Sequence, residues 1–561
     1  MRRAVPREAG RWAMASGGSS KSKSATSTAP PRVHFRVRNR ASTPVLLYAV
    51  LAVLVVPVFP HFLSPNEVSR WAFAASLVEH RTPEISGVLP LLGPAFEDVS
   101  EKDGRVYSNK APGAALVALP GALAARLFAG PPSAGSLRLS LTLMRLVAAT
   151  LPALLLALVL AGAAVRLGAT PARARFAAAV LLFATPLFAY GLLLFSHALV
   201  AACLFGAWAS FFAPGSSSRG RRDVLGGALL GLAVLSEYPA AIPAGVLVLC
   251  AAAVSPRRLL AIAAGGVPPA LILAAYDAAC FGSPFALSSG FERAAAFRGL
   301  AASGLFGIGL PSPSVLLRLL LDPSKGLLVF VPVLLLWPWA FPAARGRVSR
   351  EGGLALALVP LSLLVLYAGY PNWHGGFTVG PRYLVAALPF LVFPLAFREG
   401  GALEAGLAGA SVLACVGTTL AFPFVPPGFA LPWGSFGEYF FERGMGAPSL
   451  LHLVPGVREM AFVAPLLLVL ATAAAFLSLR SKKRTVAFCL GAAITAAAGL
   501  SAGSIFPLSP SLVLQRAYVA DVYFGRRGAL EEAIASTGAP QPRLLARRER
   551  ELALPPAPWP F

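Results

Sequence analysis

Charge is scarce in this chain, and acid is scarcest. The 561 residues hold 24 Asp and Glu against 48 Lys and Arg, charged residues make up 13%, and hydrophobic residues reach 57%. So little charge among so much apolar side chain excludes an ordinary soluble multidomain protein and points to a helical protein that crosses a membrane many times. Cysteine is nearly absent: Cys203, Cys250, Cys280, Cys415 and Cys489 stand singly, which excludes a disulfide framework and a paired-cysteine zinc site. There is no P-loop and no dinucleotide fingerprint after a strand. No fixed-period repeat supports a duplicated transporter architecture.

The net charge of +24 sits in short basic clusters between apolar runs. That pattern is the positive-inside bias of cytoplasmic loops, and nucleic acid is not expected as a partner. Residues 1–43 carry ten Lys or Arg and one Glu among Ser, Thr, Gly and Pro, and read as a disordered basic cytoplasmic tail.

Runs long enough to cross roughly 30 Å of hydrocarbon fall at 44–62, 138–165, 174–190, 196–212, 223–237, 239–255, 259–279, 326–342, 352–369, 381–397, 402–424, 461–479 and 485–506. The fold class is therefore all-α, a polytopic membrane protein of about thirteen spans, with a transmembrane domain over 44–506. With the tail inside, the clusters at Arg173 and Arg175, Arg219 to Arg222, Arg257 and Arg258, Arg345 to Arg350, and Lys482 to Arg484 all fall on the cytoplasmic side. This parity requires 114–129 to lie along the interface as an amphipathic helix instead of spanning. The outer face then receives loops at 64–137, 281–325, 370–380 and 425–460, and an extracytoplasmic C-terminal tail or small domain over 507–561 with a Pro-rich, disordered end. Glu237 and Asp277 come at the outer ends of their spans, where solvent would reach them.

The first outer loop concentrates what acid there is. Glu67, Glu79, Glu84, Glu97, Asp98, Glu101 and Asp103 are seven of the 24 acids, and they lead into Gly104-Arg-Val-Tyr-Ser-Asn-Lys-Ala-Pro-Gly113. Polar loops between hydrocarbon-length segments are where a membrane enzyme keeps its chemistry. Three further segments stand out: Phe195-Ser-His197, Phe281-Gly-Ser-Pro-Phe285, and Trp373-His-Gly-Gly-Phe-Thr-Val-Gly-Pro-Arg-Tyr383 ahead of Leu388-Pro389.

In their order, over roughly 50–400, these segments resemble the GT-C membrane glycosyltransferases, especially bacterial relatives of the protein O-mannosyltransferases and of the lipid A aminoarabinose transferase. The resemblance implies transfer of a sugar from a polyprenyl-phosphate donor to an acceptor hydroxyl, with inversion, on the outer face of a bacterial inner (plasma) membrane. It also implies an Asp-Glu motif in the first outer loop, where this chain has Asn66-Glu67. The second outer loop of the family often carries a further acid, and His197 stands in that place here. The family uses a lysine at the position of Lys110 to meet the lipid phosphate.

The residue chemistry fits those roles. Displacing a lipid phosphate needs a base at the attacking hydroxyl and cations where negative charge builds on the leaving group. Glu67, partly desolvated after the first span, is the candidate base, or else an N-terminal acid favourable to its helix dipole. Lys110 before Pro112-Gly113 is a point charge for phosphate, Arg382 can clamp phosphate bidentately, and Arg105 and Tyr107 are candidate supports. Trp373, His374 and His197 are candidate sugar contacts. Glu67, Glu97 and Asp98 are the acids available to a divalent ion, and the cofactor is either such an ion or nothing. The acceptor, whether glycan, lipid or protein, and the sugar itself stay open. A transporter or flippase of lipid-linked sugars is the alternative, and would need a polar path through the spans.

Overall fold

The computed structural model describes residues 43–59, 64–92, 96, 98–302, 304, 307–457, 459–460, 462–478, 481–538 and 540–552. The tail before Thr43, the Pro-rich end from 553, and Glu97 lie outside them.

The described residues are mostly helical, and the apolar runs anticipated above overlap helical segments. Five helices are long and apolar enough to cross a membrane by length and composition: Leu137–Arg166, Arg258–Phe281, Arg350–Ala368, Ala402–Ala421 and Lys482–Leu500. Their surroundings differ. Ala402–Ala421 is central, with most of its surface covered, whereas Arg258–Phe281 and Lys482–Leu500 leave Leu260, Leu271, Val486 and Leu490 exposed, as helices facing hydrocarbon do. The remaining apolar runs are shorter or broken. Residues 326–342, for instance, divide into Leu327–Phe330, Pro332–Leu336 and Trp337–Arg345, because Pro332 and Pro338 remove backbone donors.

The first outer loop is a folded lobe. Helix Pro65–His80 starts at a proline in its first turn and ends where Arg81 turns left-handed, with φ 55°. Helix Gly113–Ala129 covers the segment expected to lie along the interface. Between them lies an antiparallel hairpin of Val99–Lys102 and Arg105–Ser108, a departure from an all-helical reading. Its two-residue turn, Asp103-Gly104, has φ 51° and 76°, the doubly positive geometry that a tight hairpin prefers and that Asp-Gly accepts. Val68, Trp71, Val99, Val106 and Tyr107 pack with Tyr276 and Phe281 at the end of Arg258–Phe281. Asp277 is buried and not the solvated span end expected of it.

Beyond 507, helices Pro510–Tyr523, Ala529–Thr537 and Pro542–Leu552 follow. Tyr523 and Phe524 join the main core through rings of Phe59 and Phe422.

Candidate active site

Arg70 is the centre of the polar cluster. It lies one turn after Asn66 on helix Pro65–His80 and is buried. One terminal nitrogen donates to Asn66 O at 2.8 Å and Asn66 Oδ1 at 3.0 Å. The other donates to Ser196 Oγ and Glu237 Oε1, both at 3.0 Å. Asn66 thus orients a guanidinium. Glu237 also accepts a short hydrogen bond from Ser196 Oγ and keeps its side chain 30% exposed. It is therefore an ion-pair partner and not merely the solvated end of a span.

Arg382 completes the cationic part. Its Nη2 donates to Tyr383 Oη at 2.8 Å, and its guanidinium lies over the Tyr383 ring at 4.7 Å and the Phe195 ring at 5.8 Å. Burial pushes the Arg70 guanidinium below its ordinary pKa and the nearby Arg382 charge adds to the push, with Glu237, Asp98 and Glu67 opposing. Arg70 is buried and Arg382 half-buried, and the Nε of each has no hydrogen-bond partner among the described residues. Unpartnered guanidinium nitrogens away from water are costly unless an anion arrives.

The loop ahead of Arg382 explains its glycines. Gly375 has φ 71°, and a Cβ there would press on the Arg382 side chain at 3.1 Å, so a larger residue would crowd the guanidinium stem. His374 Nδ1 accepts from Gly376 N at 2.9 Å. Burial, then the charges of Lys325 and Arg382, lower the His374 pKa, so its imidazole is neutral at pH 7. Trp373 lies edge-on to His374 and under the Arg318 guanidinium, 5.9 Å from the ring centroid. Lys325, which no sequence feature marked, is buried and donates to Gly376 O and Val425 O at 3.1 Å and to Thr378 O. Burial, with Arg382 adding and Asp322 opposing, brings its pKa to about 7.

His197 stacks on Tyr190 with ring centroids 5.2 Å apart and leaves Nδ1 buried without a partner. Together with Glu237, Tyr367 and Tyr383 it lines the polar end of a small cavity whose other walls include Val200 and Leu363.

Lys110 stands in an adjoining cluster. Its Nζ is 3.0 Å from Asp98 Oδ1. Asn109 Nδ2 donates to the same Asp98 oxygen at 2.7 Å and to Glu292 Oε1 and Oε2 at 3.0 and 2.8 Å. Burial pushes Asp98 upward, but the Lys110 ammonium, the Asn109 amide and Arg70 outweigh it and hold the carboxyl below its ordinary value. Arg105 is exposed beside the hairpin turn, and Tyr107 is buried edge-on to Phe281.

Glu67 is placed differently from the candidate base of the sequence. It is fully buried, receives Arg145 Nε and Nη2 at 2.7 Å each, and accepts Leu194 N at 2.6 Å. Arg145 immediately precedes a π-helical turn, Leu146–Thr150, and also donates to Pro57 O. A carboxylate so fully occupied has little capacity to take a proton from a substrate. Among the described residues no group of three or more His, Cys, Asp or Glu is arranged to hold a metal ion.

Arg70, Asn109, Glu237, Glu292 and Lys325 are the residues missed as site candidates by sequence. Arg70 had a signal, since it lies four residues after Asn66, the spacing that puts two side chains on one helix face. Asn109 lay within a quoted segment. Glu292 and Lys325 had none.

No protein-family model matches the chain, and no curated protein matches it. Among solved structures it is similar to ArnT from Cupriavidus metallidurans. The apo form is 16% identical, covers 85% of this chain and 78% of that one, and gives a TM-score of 0.45. The form bound to undecaprenyl phosphate is 16% identical over 90% of this chain and 89% of that one, again with a TM-score of 0.45. The Archaeoglobus fulgidus oligosaccharyltransferase is 14% identical over 93% of this chain and 61% of its own, with a TM-score of 0.41. Likenesses this distant assign no activity to the chain.

Proposed function

We propose that this protein is a membrane glycosyltransferase that moves a sugar from a polyprenyl-phosphate donor to an acceptor hydroxyl by inverting displacement at the outer face of a bacterial inner membrane. The observation that carries this reading is the buried Arg70 together with the half-buried Arg382, each with a buried, unpartnered Nε, beside the partly exposed Glu237. Arg70 has one carboxylate partner, Glu237, and Arg382 has none among the described residues, so the two guanidiniums can take up a phosphate whose charge grows as its bond to the sugar breaks. The apolar walls of the adjoining cavity, Val200 and Leu363 among them, suit the start of a prenyl chain. Lys110 supplies a third cation, and Trp373, His374 and His197 offer sugar contacts. About thirteen spans, an N-terminus inside and the site outside belong to the same reading.

The test is donor turnover. Purified protein is incubated with a panel of polyprenyl-phosphate sugars, and release of polyprenyl phosphate is measured. One donor is expected to be consumed. Arg70→Ala and Arg382→Ala should each raise its KM roughly 10- to 150-fold, the equivalent of losing a charged hydrogen bond of about 1.5–3 kcal/mol. Consumption of no donor, or unchanged KM in both variants, would remove the proposal. Movement of an intact lipid-linked sugar across vesicles, without its cleavage, would favour a flippase.

A further inference from the structure

A displacement at the sugar carbon needs a proton acceptor, and the sequence candidate, Glu67, is held by a guanidinium fork and a backbone amide. Glu292 offers what Glu67 lacks. It lies in the outer loop at 281–325 and is 8% exposed. It is pinned to the hairpin by Arg293 N donating to Val99 O at 2.9 Å and by its own bridge to Ser100. Among the described residues its two carboxylate oxygens accept only from the neutral amide of Asn109, so lone pairs remain on both and no described cation is bound to either. Asn109 is itself fixed on its other side, where Ser69 Oγ donates to Oδ1 at 3.0 Å and Ser288 Oγ to its backbone O at 3.0 Å.

The same amide nitrogen joins Glu292 to the cationic site. Asn109 Nδ2 also donates to Asp98, which pairs with Lys110 and whose charge acts on Arg70. We infer that Glu292, presented by Asn109, is the catalytic base that deprotonates the acceptor hydroxyl. The inference rests on the glycosyltransferase reading above and reassigns its base from the first outer loop to the loop at 281–325.

In the step itself the acceptor O–H proton passes to a Glu292 oxygen while the acceptor oxygen bonds to the anomeric carbon. The bond from that carbon to the phosphate oxygen breaks, and its electron pair leaves on polyprenyl phosphate, facing Arg70, Arg382 and Lys110. Glu292 then returns its proton to water. The groups facing Glu292 are consistent with this task. Asp98 and Lys110 come from the first loop, Tyr370 from the loop after Arg350–Ala368, and Arg298 Nη1 donates to the Glu292 carbonyl at 3.1 Å. Burial raises the carboxyl to about 7, with Lys110 and Asn109 lowering it and Asp98 adding to the rise. A base is most effective when its pKa lies near the working pH.

The test uses the full-length protein in detergent or vesicles with the donor identified above. Glu292→Gln is expected to lower kcat by about 10²- to 10⁴-fold while the donor KM stays within about threefold, because the cations that bind phosphate are untouched. Glu292→Ala with added azide, a nucleophile with no proton to lose, should recover donor consumption and yield the glycosyl azide. A Glu292→Gln enzyme with kcat within about twofold of wild type overturns the inference. So does a loss of kcat that azide cannot restore, since that marks Glu292 as a positioning residue. If either variant fails to bind polyprenyl phosphate, Glu292→Asp, which keeps a carboxylate, should retain part of the activity, and its complete inactivity in a folded protein overturns the role. A wild-type protein inert toward every donor brings down the glycosyltransferase reading and this inference with it. An active wild type with an unaffected Glu292→Gln brings down this inference alone.

Discussion

Two glutamates near the candidate site show how one side chain takes opposite roles from its surroundings. Glu67 and Arg145 form a buried pair with both carboxylate oxygens occupied, and removing one member leaves the other charged and unpaired. Breaking such a pair costs roughly 3–5 kcal/mol. Glu67→Gln should therefore lower the melting temperature in detergent more than it lowers kcat per folded molecule. A variant of wild-type stability that has lost turnover would return Glu67 to the chemistry. Glu292 and Asp98 are pushed apart, the first raised to about 7 from an ordinary 4.5 and the second lowered. Because the folded protein holds the Glu292 proton more tightly than the unfolded chain, its contribution is complete below the ordinary value and is lost as pH rises through about 7. Asp98 contributes above its ordinary value and loses that as pH falls through its folded value. Glu292→Gln mimics the protonated form, so the melting temperature of wild type should fall relative to that variant between about pH 4.5 and 7 and run parallel above. Parallel melting curves across the whole range would contradict the raised carboxyl.

At the scale of elements, the site is assembled by close helix contacts that glycine permits. A Cβ on Gly227 would collide with Ile262 O, and one on Gly265 with Val224 O, so helices Arg219–Ser236 and Arg258–Phe281 touch backbone to backbone as small-residue crossings in membranes do. The first of these helices ends at Ser236, directly before Glu237. Gly227→Val should force the helices apart, shift Glu237 from Arg70, and change the donor KM without touching either residue. An unchanged KM in a folded variant would show that the crossing does not govern the site. Elements of this kind were partly legible in the sequence. Hydrocarbon-length apolar runs are a local property of composition, and they overlap helical segments among the described residues. Asp103-Gly104 between short alternating stretches is a hairpin signal that the acid-rich character of the loop obscured. Lys110 and Arg382 were legible because a cation beside Pro-Gly or Gly-Pro at a membrane edge is conspicuous. Glu292 was not, because its partner Asn109 is 183 residues away and a lone acid in a loop reads as solvated.

Across the whole molecule, polar contacts sort the loops into two groups. Arg173 and Arg484 share Glu404, Arg484 also donates to Gly400 O, and Arg258 pairs with Asp223, so segments assigned to the cytoplasmic side by charge parity meet one another. Arg70 with Glu237, Asn109 with Glu292, Lys102 with Phe281 O, and Lys325 with Gly376 O and Val425 O join segments assigned to the outside. This agreement comes from side-chain pairing, a different source from the count of basic residues that produced the parity. A topology in which the basic clusters face the cytoplasm then leaves one orientation for the site. In a variant whose cysteines at 203, 250, 280, 415 and 489 are replaced, Asp103→Cys at the hairpin turn should react with a membrane-impermeant maleimide in intact cells. Lys483→Cys should react only after permeabilisation. The reverse pattern would put the Arg70–Arg382 pair on the cytoplasmic side and require a donor presented there, whereas labelling of both in intact cells would break the segregation of loops on which the orientation depends.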